Sequence, residues 1–373
     1  MSKIIIDREL LLDKVNKVYK FVPSKSIIPA LDNIKFEVNG NTMLITAFNG
    51  EIQCQLSCIV KAKENMSFCL PAKLFVGIIR LLRENELTIT IGEKKATLKC
   101  GKSVYNISVN TTPDIFPFIK NGSHENEMVM LQSAFKDYAS KVSNFAGDNA
   151  TLPWMSGMNM AFSDKKEMTF TSATNFVMCR AIAPVISLNK WKSVTIPVSS
   201  VKRITELCNK GEMTIMHSEN IMVFSSAANS DEQFTIIATC INENYPNVSN
   251  FFSAPREKNF VINVSEGIDC INRVKLCSNP LLNSINLNLQ ASELTISSSD
   301  EDFGNDGTEV VSVTNEKNVT MDKNLVSDQV VKILGSIDEV ECFIYWSDKD
   351  NVPLLIQGKT DFVNFQFLTT PLK

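Results

Sequence analysis

The side chains best placed to do chemistry are cations on a recurring helical pattern. In "LPAKLFVGIIRLL", residues 70 to 82, Lys73 and Arg80 are seven apart, and Arg83 lies three further on. That spacing returns to one helix face, read here as the face opposite an apolar stripe of Leu74, Ile78 and Leu81. "IPVSSVKRITELC" from 196 repeats the design: Lys202 and Arg203 sit together, and Lys210 follows Arg203 by seven. A fainter copy, "TMDKNLVSDQVVKIL", begins at 320. Lines of Lys and Arg without a base-reading motif suit contact with phosphates and no reading of sequence. Such binding has dissociation constants of roughly 10⁻⁴ to 10⁻⁶ M at physiological salt, so lasting attachment needs something besides charge.

Other chemistry finds less support. No G-x-x-x-x-G-K-[ST] or G-x-G-x-x-G run offers a nucleotide site, so no cofactor is expected. Two histidines, His124 and His217, make a nucleophile, base and orienting acid improbable. The acidic stretch "SSSDEDFGNDGTE" at 297 to 309 invites a calcium reading through Asp300, Asp302 and Asp306. Its glycines miss the sixth position of an EF-hand and no flanking helices are evident, so a solvated hairpin loop is the better reading and no metal is assigned. An enzyme would have to be a hydrolase using these acids with a metal; a third class is a non-catalytic three-domain scaffold that binds only protein. The ten cysteines are scattered, with no C-x-x-C pair, which reads as reduced and partly buried thiols. Cys54 and Cys58 sit four apart on a strand-like run with nothing to complete a zinc set.

The elements that must position the cations recur as a block, about every 125 residues, a period that suits whole domains better than a solenoid. Each third opens with a strand leading into a helix: "IIIDRELLLDKVNKVYKF" from 4, "MVMLQSAFKDYASKVSNFA" from 128, "FVINVSEGIDCINRVKLCS" from 260. An alternating strand follows ("ALDNIKFEV", "WMSGMNMAF", "LLNSINLNL"), then a third element, then the helix of the first paragraph. Each third closes on a meander whose runs are separated by Gly, Asn, Asp and Ser. Two irregular linkers, "TTPDIFPFIKNGSHEN" and "INENYPNVSNFFSAPREKN", give domains at 1–124, 125–253 and 254–373. Each would hold two helices on about eight antiparallel strands, an α+β class.

The whole chain carries a formal charge of −4, with 44% hydrophobic and 21% charged residues. Six predicted helices, 7–20, 71–83, 131–143, 198–210, 265–276 and 323–335, nevertheless hold 16 Lys/Arg against 8 Asp/Glu, including Arg273 and Lys275. Positive charge is thus concentrated on helices of an acidic chain. No apolar run approaches the roughly 18 residues of a spanning helix. Charges at Lys3, Asp7, Arg8 and Glu9 interrupt any signal-peptide core, so the expected location is cytoplasmic, with no membrane partner.

Taken together, "IIIDRELLLDKVNKVYKFVPSKSIIPALDNI", "LPAKLFVGIIRLL", "GKSVYNISV" before "DIFPF", "IPVSSVKRITEL", "NYPNV" and the ending "FLTTPLK" resemble the bacterial sliding clamp family, the beta subunit of the replicative DNA polymerase. The resemblance spans the chain and is strongest in the first third. It implies three tandem clamp domains, half of a pseudo-six-fold ring, with two protomers closing head to tail around duplex DNA. The implied partners are DNA, the replicative polymerase, an ATP-driven clamp loader, other proteins with a clamp-binding motif, and a second copy of the chain. The resemblance adds Lys25 and Trp154 to the DNA-contacting set of Lys73, Arg80, Arg83, Lys202, Arg203, Lys210, Arg273 and Lys275. It maps a partner-peptide pocket between domains 2 and 3 to Met155, Ala173, Asn175, Phe176, Val177, Met178, Pro246, Phe251, Pro353, Leu354, Leu368, Thr370, Pro371 and Leu372. The family's usual threonine-aspartate-glycine-histidine-arginine-leucine run reads "ATNFVM" here, which keeps an apolar cleft and changes its polar rim.

Overall fold

A computed structural model describes residues 2–372 except 111, 113–115, 121, 149–150, 163–166, 229, 231, 350–351 and 361–363. Asp114 and Ile115 of the first predicted linker, and Lys373, therefore lie outside the described residues. Among those described, seven α-helices form: α1 Arg8–Tyr19, α2 Ala72–Leu81, α3 Gln132–Ser143, α4 Val198–Leu207, α5 Ser249–Ser253, α6 Val264–Val274 and α7 Ser327–Leu334. Six fall on the predicted helices. The short α5 sits inside a segment expected to be irregular. None is long and apolar enough to cross a membrane.

By contact density the chain divides into two compact units, 1–137 with 185–242, and 138–184 with 243–373. The division cuts through α3 and the predicted middle domain, and pairing inside the first unit gives the physical reason. There Phe234–Thr239 of the middle third pairs antiparallel with Ile52–Ile59 of the first third, Phe234 opposite Leu56 and Ala238 opposite Ile52. A nine-stranded sheet results, running Ser187–Leu188, Asn126–Leu131, Glu212–His217, Ile221–Ser226, Phe234–Thr239, Ile52–Ile59, Thr42–Phe48, Asn33–Asn39 and Met66–Pro71. A five-stranded sheet, ordered Lys61–Ala62, Ser2–Asp7, Glu86–Ile91, Lys95–Cys100 and Ser103–Ser108, completes the unit.

Local chemistry starts these helices and packing fixes them. Asp7 caps α1 by accepting a hydrogen bond from the Leu10 amide at 2.9 Å. Pro71 and Pro197 precede α2 and α4 with extended backbone, so neither needs an amide donor there. α2 buries Ala72, Phe75, Val76 and Ile79. Phe75 meets the edge of Phe36 at 5.3 Å, and Phe36 stacks on Phe68 at 5.2 Å. This corrects the sequence reading: Leu74 is 51% and Leu81 81% exposed, so the expected inward stripe points outward. Lys73 and Arg80 flank that outward face rather than opposing it.

In the second unit, strands Gly157–Phe162, Met168–Ala173, Val177–Ala183, Phe365–Thr369, Leu354–Gly358, Glu341–Trp346 and Lys258–Asn263 follow one another. A four-stranded sheet runs Asn305–Ser312, Glu293–Asp300, Ser284–Gln290, Met321–Val326. The acidic stretch at 297–309 is the hairpin of this sheet, Asp300 pairing with Asn305. Asn263 caps α6, and α6 packs against α7. Gly267 permits that approach: a Cβ there would stand 3.2 Å from Ile262 Cδ1 and 3.4 Å from Leu334 Cδ1. All ten cysteines are free thiols. Burial pushes Cys58 up to about 11 and Cys270 up to about 12, which keeps both protonated and unreactive at neutral pH.

Candidate functional site

An apolar cluster in the second unit includes Met178 and Leu368 of the expected pocket residues. Met178 lies opposite Leu368, Leu368 opposite Leu355, and Leu355 opposite Tyr345. Directly opposed residues share a sheet face, so these four make one apolar row across four strands. Val248 and Phe252 pack onto Leu355 and Leu368, with Met178, Tyr245 and Tyr345 against the same cluster. Burial raises the phenol pKa of both tyrosines, so they stay neutral there. Val177 and Leu354 stand one residue along each strand, opposite Thr369, and so belong to the other face of the sheet.

The rim is built by local hydrogen bonds. Thr174 Oγ1 accepts from the amides of Phe176 at 3.2 Å and Val177 at 3.0 Å, turning the chain so that Phe176 stands 47% exposed at the lip. The Thr370 amide donates to the Phe176 carbonyl at 2.9 Å, and the Leu372 amide to the Asn324 carbonyl at 2.8 Å, fixing the "LTTPL" ending beside the lip. Asn175, Pro246, Phe251 and Thr370 are exposed, Pro353, Pro371 and Leu372 half-buried. Arg256 ties one wall to the other, donating to the carbonyls of Pro353, Ala254 and Phe251 at 2.8, 2.9 and 2.8 Å. Met155 and Ala173 are buried, and their carbonyls both accept from the Gly147 amide. Trp154, expected on DNA, packs edge-on against Tyr245 at 5.1 Å, beside Pro246. Sequence reasoning missed Tyr245, Val248, Phe252, Tyr345 and Leu355. Alternation in "ECFIYW" placed Tyr345 on a face, but only long-range pairing brings it beside Leu368 through Leu355.

The expected DNA-contacting cations differ in how they are held. In the first unit Lys25, Lys73, Arg80, Arg83, Lys202 and Lys210 are exposed. Arg80 donates to Asn16 Oδ1 at 3.0 Å, linking α2 to α1, and Arg203 lies over the Phe21 ring at 5.9 Å. Lys14 and Lys17 of α1 are committed to Glu232, and Lys20 pairs with Glu206 at 2.6 Å. In the second unit Arg273 binds Glu309 through two hydrogen bonds, 2.7 and 2.5 Å, and Lys275 meets Asp328 at 3.2 Å. Hydrogen bonding to Arg273 lowers the Glu309 pKa, so the carboxylate remains charged across neutral pH. The net positive charge of the helices is thus most available in the first unit.

The outward face of α2 has its own surroundings. Leu74, Ile78 and Leu81 line a groove of about 1190 Å³ together with Tyr19, Pro23, Lys73, Tyr105 and Arg203. Beside it Ser103–Ser108 is the last strand of the five-stranded sheet, with Val104 55% exposed.

The family model described as DNA polymerase III beta subunit, N-terminal domain, matches residues 2–119. The chain is 21% identical over 287 residues to the beta sliding clamp of Staphylococcus epidermidis, covering 74% of each. Its fold superposes with a TM-score of 0.91 on the Pseudomonas aeruginosa sliding clamp solved bound to griselimycin, at 17% identity, over 100% of this chain and 99% of that one. It also superposes with a TM-score of 0.89 on a putative DNA polymerase III beta subunit from Eubacterium rectale, at 21% identity, over the full length of both.

Proposed function

From the premise that this chain belongs to the bacterial DNA polymerase III beta-subunit, or sliding clamp, family of non-catalytic processivity factors, we propose that two copies close head to tail into a ring around duplex DNA. The three repeats at 1–124, 125–253 and 254–373 are its domains, and Lys25, Lys73, Arg80, Arg83, Lys202, Arg203 and Lys210 face the phosphates. Charge then needs only to be weak and indifferent to base order, because encirclement supplies retention.

The observation that carries the reading is a pair of complementary edges. Ser103–Ser108 ends one sheet and Asn305–Ser312 ends another, each presenting a row of backbone groups for a further strand. Exposed Lys94, Lys95, Lys99 and Lys102 surround the first, outnumbering Glu84 and Glu93; Glu301, Asp302 and Asp306 surround the second, beside Glu309, which Arg273 holds. Apolar surface adjoins both: Leu74, Leu81 and Val104 beside one, and Leu276 (80% exposed), Phe303 and Val310 beside the other. Two different surfaces of one chain that fit each other make a heterologous contact, which closes into a ring when its rotation allows.

The cleft around Leu368 takes apolar-anchored peptides of the polymerase, the loader and other partners, as grooves of this kind accept short linear segments. The chain shows no nucleotide-binding motif, so opening the ring falls to an ATP-driven loader, and the setting is the cytoplasm. The decisive test loads the protein on nicked circular duplex and then linearises it. Retention on the circle with loss from the line is the expected result. Equal departure from both, with peptide binding intact, would leave a protein-binding scaffold.

A further inference from the structure

Next to the apolar row of the cleft lies a polar one. Arg180 is opposite Gln366 on the neighbouring strand. Its Nη2 donates to Gln366 Oε1 at 2.5 Å, and Gln366 Nε2 in turn donates to Gln357 Oε1 at 3.1 Å. Both amide oxygens are therefore spent within the row, and they orient the guanidinium. What remains is a surplus of donors: Arg180 Nε is buried with no acceptor. Phe252, a member of the cleft cluster, lies over the guanidinium at 4.2 Å from its ring centroid. Burial destabilises this charge, and the charge of Glu167 offsets part of that effect.

Arg256 is the internal comparison. It too is half-buried beside the cleft, yet Nε, Nη1 and Nη2 each meet a backbone carbonyl. Its donors are consumed in holding the walls. A partly desolvated guanidinium with an unmet Nε–H has donor capacity to spare, and its planar fork matches a carboxylate.

We infer that Arg180 forms a carboxylate subsite beside the apolar cleft, so that a bound peptide places an acidic side chain or its own terminal carboxylate next to its apolar anchor. The inference rests on the cleft being the peptide site and adds the charge of what it selects. No bond is made or broken; the carboxylate supplies the acceptor that Gln366 and Gln357 cannot.

The test uses the full-length protein and fluorescein-labelled hexapeptides carrying Leu-Phe, with Glu or Gln at each other position in turn, as free acids and as amides. Fluorescence anisotropy should show one carboxylate placement binding more tightly than its neutral counterpart by on the order of tenfold. The free-acid and amide arms tell a terminal carboxylate from a side chain. R180Q should bring that ratio to one while binding neutral peptides as the parent does, which also reports an intact cleft. R180K, keeping charge without the fork, should give an intermediate ratio, and R256Q should weaken acidic and neutral peptides alike. No carboxylate preference in the parent, or a preference surviving in R180Q, overturns the subsite while leaving the cleft. Failure of every peptide to bind the parent overturns the cleft reading, and the subsite with it.

Discussion

His217 is 3% exposed, with the edge of Trp191 at 4.6 Å, Nδ1 at 3.2 Å from the Ser218 carbonyl and Nε2 buried without a partner. Burial, more than the bonds that oppose it, lowers its pKa below the ordinary 6.5. The unfolded chain therefore binds the proton more readily, and stability is complete above about pH 6.5 and declines as pH falls toward the depressed value. A His217→Asn variant should flatten that decline, measured by urea melts followed through Trp fluorescence between pH 5 and 7, a range set by the ordinary histidine value. At the cleft, Met178→Glu should abolish binding of the Leu-Phe peptides with little change in melting, because Met178 is half-buried at the surface of the cluster. Leu368→Ala, at 2% exposure, should cost about 2 to 5 kcal/mol in unfolding free energy as well. The resemblance names residues for a pocket; the sheet face each occupies was not legible. α2 shows why: Leu74, Phe75, Val76, Ile78, Ile79 and Leu81 surround most of the helix, so spacing allows two apolar stripes. Packing of Phe75 on Phe36 decides between them.

At the scale of elements, α2 has one apolar face inside the unit and another outside, and the head-to-tail contact proposed above would cover the outer one. Leu81→Glu or Leu276→Asp should shift the protein toward monomer in sedimentation velocity. Both side chains are at least 80% exposed, so the folded monomer should lose no more than about 0.5 kcal/mol. The order of strands and helices was legible because alternation and the 3.6 period act over a few residues. α5 was not: five residues in a linker give too short a period to see. Nor was the junction of Phe234–Thr239 with Ile52–Ile59, since both strands alternate normally and nothing local names their partner.

For the whole molecule, the formal charge of −4 conceals the exposed helix cations of the first unit. Their contribution to DNA binding should appear as salt dependence. Lys73→Ala and Arg83→Ala should each lower the slope of log K against log salt by about 0.9 if the side chain meets one phosphate. Arg273→Ala should change it less, because Glu309 already holds that guanidinium. Under the proposed encirclement, retention on closed circles should survive each single change, since topology rather than charge would hold the DNA.

The sheet shared by the first and middle thirds carries a final consequence. Although the family model ends at residue 119, a cut near 124 would strip Ile52–Ile59 of its neighbour Phe234–Thr239 and leave a bare hydrogen-bonding edge bearing Ile52, Cys54 and Leu56. Such an excised piece should self-associate into oligomers or precipitate on expression, however tidy its boundary looks. The repeat records how the chain is written, while its smallest independently foldable portion is set by where strands find partners.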